Sequence, residues 1–252
     1  LATGISLNCQ LFTLKHVQIF FFPYFGGGPS EYNEVLMQLD EFECVAFSNA
    51  GLGCEGENYS VRAAIDDMAR LISSHLNEDG EYLLVGHSMT GKMALGVAAS
   101  QPPGLKGLVL LAPSPPTPET IPDMVRERML TMHGTREAAI ETLCSNWHRE
   151  MTGDYLEHAI LADLETGDHD WKHWLQTGSR EDISELLANV TVPTLVVTGD
   201  KDAGMTPEML NREVLSQIPG ARLEVVADAG HFLPIEAPDE VAELIRGFAR
   251  TL

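Results

Sequence analysis

Basic residues are scarce in this chain. Its 252 residues include 16 Lys and Arg against 37 Asp and Glu, a formal net charge of −21. A surface so charged repels phosphate backbones and anionic lipid, which argues against nucleic acid as a partner. Cysteine is also sparse: four residues, Cys9, Cys44, Cys54 and Cys144, no two at the C-x-x-C spacing of a metal knuckle or redox motif. They read as small buried hydrophobes suited to a reducing compartment. No apolar run is long enough to span a bilayer; VQIFFFPYF meets a proline and is followed at once by three glycines. A charged start leading into a long apolar stretch is missing too, so the expected location is cytoplasmic.

Hydrophobic residues make up 44% of the chain, enough for a substantial core. The length fits one large α/β domain or two small ones. Residues 4–14 alternate, with Ile5, Leu7, Cys9 and Leu11 on one face, as in a half-exposed strand. Six later runs are continuous: 17–22, 43–47, 82–85, 107–112, 194–199 and 223–227. Continuous apolar strands are buried on both faces, as in a parallel sheet covered by helices. Helical spacing appears between them, at Val61, Ile65, Met68, Ile72 and Leu76, at Met93, Val97 and Ala98, and at Val241, Leu244, Ile245 and Phe248. The alternation predicts a mostly parallel, doubly wound α/β sheet. From Ser114 to about Val190 strand-like runs cease and helical patterns take over, with all three tryptophans inside. The expected organisation is a core formed by 1–113 and 191–252 with a helical cap at 114–190.

GHSMTG, residues 86–91, ends one apolar run and opens a run of helix formers. A sharp strand-to-helix turn strains its central residue and lifts that side chain clear of the sheet. Ser88 is therefore a candidate nucleophile, although Thr90 stands where Gly-x-Ser-x-Gly would have its second glycine. A hydroxyl needs a base to take its proton. The base and its orienting acid are expected beyond later strand ends, in the order Ser, acid, His. DKDAGMTP (200–207) follows one strand and offers Asp202, with Asp200 as the rival acid; DAGHFLPIEAPDEV (228–241) follows the next and offers His231. Acyl transfer also needs donors for an oxyanion. Met89 supplies the amide after the nucleophile. The loop FPYFGGGPSEY (22–32) supplies the second, Phe25 by preference and Tyr24 next. That loop lacks the G-x-G-x-x-G and Lys-Ser/Thr signatures of phosphate binding.

These motifs resemble the α/β-hydrolase superfamily over nearly the whole chain from residue 17. GHSMTG is similar to its nucleophile elbow, GDKDAGMTP to its acid loop, and DAGHFLPIEAPDEVAELIRGF to its histidine loop and last helix. The resemblance implies a Ser88–Asp202–His231 triad under a helical lid, acting on a small ester by way of an acyl-enzyme with no cofactor. Pro23-Tyr24 stands where many relatives carry His-Gly, and Ser48 replaces the Asp of the D-x-P-G-x-G loop of esterases. FFPYFGGG is similar to the start of type II thioesterases, whereas the histidine loop is closer to small esterases, C–C bond hydrolases and perhydrolases. An acyl thioesterase and a non-catalytic receptor of the same fold are the alternatives.

Tyr24, Met124, Met129, Trp147 and Trp171 are candidate pocket residues, with Met132 beside them. His169 and His173 stand four apart, the spacing of a zinc pair on one helix face. No third ligand is evident in the sequence, so no metal is expected, and the stretch reads as an amphipathic turn with Trp171 and Trp174 inward.

Overall fold

The computed structural model describes residues 17–55, 58–149 and 154–252. The strand expected over 4–14, and Cys9 with it, lies outside the described residues. In chain order the elements are β1 (Val17–Phe22), α1 (Asn33–Gln38), β2 (Glu43–Ala46), β3 (Cys54–Glu55), β4 (Asn58–Tyr59), α2 (Val61–His75), β5 (Glu81–His87) and α3 (Met89–Ala99). There follow β6 (Leu105–Leu111), α4 (Asp123–Thr131), α5 (Arg136–Cys144), α6 (Asp154–Glu165), α7 (Asp168–Gln176), β7 (Thr194–Gly199), α8 (Pro207–Glu213), β8 (Arg222–Val226), α9 (Leu233–Glu236) and α10 (Pro238–Ala249). Six strands form a parallel sheet in the order β2-β1-β5-β6-β7-β8, and β3 and β4 make a separate antiparallel pair.

Side chains alternate across the sheet as the strand period of two requires. Phe20, Phe22, Leu84, Leu108, Leu110 and Val196 pack with residues of α2, α3 and α8 on one face. Ile19, Phe21, Leu83, Val85, Val109 and Leu111 pack with α1, α9 and α10 on the other. Covering both faces is what makes the central strands read as unbroken apolar runs. The expectation fails at the two ends of the described sheet. β2 is only partly buried, and β8 leaves Arg222, Glu224 and Val225 exposed. An outer strand has one neighbour and incomplete helical cover, so its apolar residues need not be core residues.

The helices start where local chemistry allows. Ser60 Oγ accepts from the Ala63 amide at 3.0 Å, capping α2. α10 opens on Pro238, where a missing N–H leaves no bond unmade. Between β6 and β7 the chain forms α4 to α7 and short 3₁₀ turns, with no strand among the described residues. No helix among the described residues is long and apolar enough to cross a membrane.

The parallel arrangement brings the ends of β5, β7 and β8 to one edge of the sheet, where the loops must pack closely. At Gly199, the last residue of β7, an added Cβ would lie 2.1 Å from the Ala229 carbonyl oxygen and 2.5 Å from that of Gly230. Both obstacles are backbone. Gly199→Ala should therefore cost about 1–3 kcal/mol, seen in urea unfolding as a lower midpoint with an unchanged slope.

Candidate active site

Ser88 joins β5 to α3 with φ 53° and ψ −117°, a conformation that a residue with a Cβ adopts only under strain. The turn is held from several sides. Ser88 N donates to Leu111 O at 2.9 Å, and Ser114 N donates to Ser88 O at 2.9 Å. Gly86 is required by contact: an added Cβ would meet Thr90 O at 2.8 Å and Ala94 Cβ at 2.9 Å. Thr90, the departure from the Gly-x-Ser-x-Gly pattern, is fully buried and useful there. Its Oγ1 accepts from His87 N at 3.0 Å and lies 2.8 Å from Phe22 O, which ties the turn to the end of β1.

Three side chains distant in sequence meet at this edge. His231 Nε2 lies 2.9 Å from Ser88 Oγ, and His231 Nδ1 lies 2.7 Å from Asp202 Oδ2. Asp202 Oδ1 accepts from the amides of Gly204 and Met205, each at 2.9 Å. This accounting fixes the tautomer: the carboxylate can only accept, so Nδ1 carries the proton and Nε2 presents a lone pair to the hydroxyl. Burial alone would lower the His231 pKa, but the charge and hydrogen bond of Asp202, with Glu119 and Glu236 further off, raise it above the ordinary imidazole value. Burial likewise opposes ionisation of Asp202, and the His231 charge, its hydrogen bond and the two amides outweigh it, so the carboxyl stays below its usual range. Asp200 is elsewhere, accepting from Asp228 N at 2.7 Å and pairing with Lys201.

The hydroxyl opens into a cavity of about 540 Å³. Its walls include Phe25, Ile121, Met129, Met132, Trp174 and Phe232, and Glu119 brings a carboxyl to it. Burial pushes the Glu119 carboxyl above the ordinary range, against the pull of Ser114, Lys92, His231 and Arg126. Of the expected pocket residues, Tyr24 and Met129 line the cavity. Met124 does not: it is 79% exposed on the outer side of α4. Trp171 packs against Phe25, ring centroids 4.3 Å apart and planes tilted by 32°, rather than reaching the cavity, and Trp147 packs in a small cluster with Tyr24 and Phe232. Trp174 takes the wall position instead.

The loop after β1 offers two amides, and the structure distinguishes them. Tyr24 N is already used, donating to Glu31 Oε2 at 3.2 Å. Among the described residues Phe25 N and Met89 N have no protein acceptor. The loop is braced by Asn49 Nδ2, which donates to Tyr24 O at 2.7 Å.

Two buried carboxylates to which the sequence assigned no role, Glu31 and Glu236, support the site. His87 Nδ1 lies 3.0 Å from Glu31 Oε1, and its Nε2 lies 2.9 Å from His231 O. The ring of His87 thus bridges Glu31, on the loop after β1, and the backbone of the histidine loop. Glu236, also buried, gathers the histidine loop. Its Oε2 accepts from the amides of His148 at 2.8 Å, Arg149 at 2.7 Å and Gly230 at 3.0 Å, and its Oε1 from Phe232 at 3.0 Å.

Comparison with known proteins agrees with this layout. The family model described as "Alpha/beta hydrolase family" matches residues 20–244. The chain belongs to the alpha/beta hydrolase family. Lipase 1 of Psychrobacter immobilis is 24% identical to it, over 90% of this chain and 75% of that protein. A cis-3-alkyl-4-alkyloxetan-2-one decarboxylase of Shewanella oneidensis is 26% identical, over 88% of this chain and 79% of the relative. Among solved structures, a thermophilic esterase from Thermogutta terrifontis superposes with a TM-score of 0.77 at 25% identity, covering 94% of this chain and 90% of the esterase. The proteins this chain resembles thus carry the names of a lipase, an esterase and a decarboxylase.

Glu236→Ala would leave several buried amides without an acceptor, each costing about 1–3 kcal/mol. A loss of at least about 3 kcal/mol in urea unfolding is expected, against a change within about 0.5 kcal/mol for the exposed control Glu224→Ala.

Proposed function

We propose that this alpha/beta hydrolase is a serine hydrolase that cleaves a carboxylic ester of a small or medium, largely apolar substrate. The observation that carries the reading is the unbroken hydrogen-bonded line Ser88–His231–Asp202 at the wall of an apolar cavity. A volume of about 540 Å³ suits a ligand of modest size. The names of the lipase and esterase relatives point the same way.

In this mechanism Ser88 Oγ attacks the ester carbonyl while its proton passes to His231 Nε2. The imidazolium is stabilised by Asp202, which keeps its own proton-free state. The amides of Phe25 and Met89 bind the oxyanion; among the described residues neither has a protein acceptor to lose when it donates. His231 then protonates the leaving alkoxide, and water, activated by the same imidazole, releases the acid. The chain's own groups balance every proton in this sequence, so it calls on no cofactor. Residues 114–190 act as a cap: α4, α5, α7 and the adjoining turns supply most of the apolar wall, while 1–113 and 191–252 supply the reacting groups.

Ser88→Ala should lower kcat by about 10⁴–10⁶ and abolish labelling by a fluorophosphonate probe. Equal labelling of wild type and Ser88→Ala would remove the assignment. Turnover of short p-nitrophenyl esters is expected to exceed that of acyl-coenzyme A thioesters; the reverse would favour a thioesterase.

The reaction needs neutral His231, and the folded site raises the pKa of that group. kcat/KM should therefore hold at high pH and fall as the pH drops through a value above the ordinary ~6.5 of imidazole. Glu119 is one of the charges that hold this value up. Glu119→Gln should move the acid limb to lower pH, which a pH–rate profile of the two proteins would measure.

A further inference from the structure

His169 and His173 lie one turn apart on α7, with ring centroids separated by 3.8 Å. A third donor, absent from the neighbouring sequence, comes from β3. One ligand atom each from Cys54, His169 and His173 lie within 4.8 Å of one another. Cys54 Sγ is 3.5 Å from His173 Nδ1. In a tetrahedral zinc site, bonds of about 2.3 Å to sulfur and about 2.0–2.1 Å to nitrogen place S and N roughly 3.5 Å apart. The sulfur–imidazole edge is therefore already at ligand spacing, and His169 needs only a side-chain adjustment to complete the face. Asp170 adds a carboxylate beside the sulfur. Its Oδ1 accepts from Cys54 Sγ at 3.3 Å while its Oδ2 is fixed by Gly51 N at 3.0 Å. The bond from Cys54 holds the thiol in place in the metal-free protein and is given up when the thiol loses its proton on metal binding. None of these residues lines the cavity at Ser88.

We propose that Cys54, His169 and His173 bind a zinc ion, with the fourth position open to water, and that the ion clips the β3–β4 pair to α7. One thiolate and two imidazoles suit zinc and exclude magnesium and calcium, which take oxygen ligands. On binding, the Cys54 thiol gives up its proton to solvent and the two imidazoles bind neutral. The clip has a consequence for the molecule. α7 carries Trp171, which packs against Phe25, and Trp174, which lines the cavity. Fixing α7 to the core loop fixes the floor beneath Phe25.

The test uses the full chain stripped of metal with a chelator and titrated with Co²⁺ as a spectroscopic stand-in, then with Zn²⁺. One equivalent of Co²⁺ should produce a thiolate-to-cobalt charge-transfer band, which Zn²⁺ removes by displacement. Cys54→Ser should lose the band, and His169→Ala and His173→Ala should each weaken Zn²⁺ binding at least about tenfold. Zn²⁺ should raise the Tm of wild type but not of Cys54→Ser. Should a variant fail to fold, wild type alone still decides: Zn²⁺ should slow iodoacetamide labelling of Cys54, followed by peptide mapping. Lack of a charge-transfer band in wild type, a band that persists in Cys54→Ser, or unchanged labelling of Cys54 would overturn the site.

Discussion

The strained turn at Ser88 is the constraint around which the rest is arranged. A serine at φ 53° is unfavourable by about 1–3 kcal/mol, and a single contact would not hold it. Here the strand before it, the helix after it and the neighbouring strand all bear on the same few atoms. The Ser88 amide and carbonyl are bonded to Leu111 and Ser114, and Gly86 and Gly91 let β5, α3 and Pro113 approach within contact. Relaxing the turn would break all of these together. That shared dependence makes the direction of the Ser88 side chain a property of the sheet rather than of a loop.

The acidity of the chain raises the question of how its buried carboxylates survive. Three surround the site: Glu31, Asp202 and Glu236, all nearly inaccessible. Each is met chiefly by backbone amides and imidazole rather than by Lys or Arg. Glu236 takes four amides, Asp202 takes two and an imidazole N–H, and Glu31 takes one amide and meets the His87 ring. Amide donors are fixed by the chain path, so these acids also serve as staples that shape the loops. The histidine loop is drawn into place by Glu236 from below and by the His87–His231 carbonyl bond from the side. The scarcity of basic residues is thus no obstacle to burying acid groups at the site.

What could be read from sequence alone follows from range. The central strands and the Ser, acid and His positions announced themselves because each motif is local: an apolar run, then a turn residue at its end. Edge strands were misjudged because LEVVA reads as core until one knows that nothing pairs beyond β8 among the described residues. Met124 and Met129 looked equivalent, yet five residues on a helix turn through about 500°, so the two point to different sides; only the docking of α4 says which side faces the cavity. Glu31 could not be read as a supporting group because its partner His87 lies in another segment, Glu236 because nothing local shows its carboxylate turned back onto the amides of its own loop, and the contact of Cys54 with His173 because α7 is far along the chain. The Thr90 departure was legible as an anomaly but not as a solution, since its hydroxyl serves the carbonyl of Phe22 on a different strand.

One further buried group links the elbow to the segment over it. Lys92 lies on α3, four residues after Ser88, with no exposed surface. Its ammonium donates to the carbonyls of Glu181 at 2.5 Å and Thr117 at 3.3 Å, which stand at the two roots of the 114–190 segment. Those roots are also bonded to each other, through Glu119 N to Ser179 O at 2.7 Å and Ile183 N to Pro116 O at 2.8 Å. Burial lowers the Lys92 pKa, while Glu119, Glu181 and Asp182 pull it back up, so the acids that cluster there help keep the ammonium charged. A charged donor with fixed carbonyl acceptors is a stronger tie than a neutral contact. Because that tie begins on the helix that carries Ser88, the cavity wall and the nucleophile share one anchor. Movement of α4 and α5 would then have to hinge within 119–179, leaving the roots, and Glu119 at the cavity wall, in register with the reacting groups.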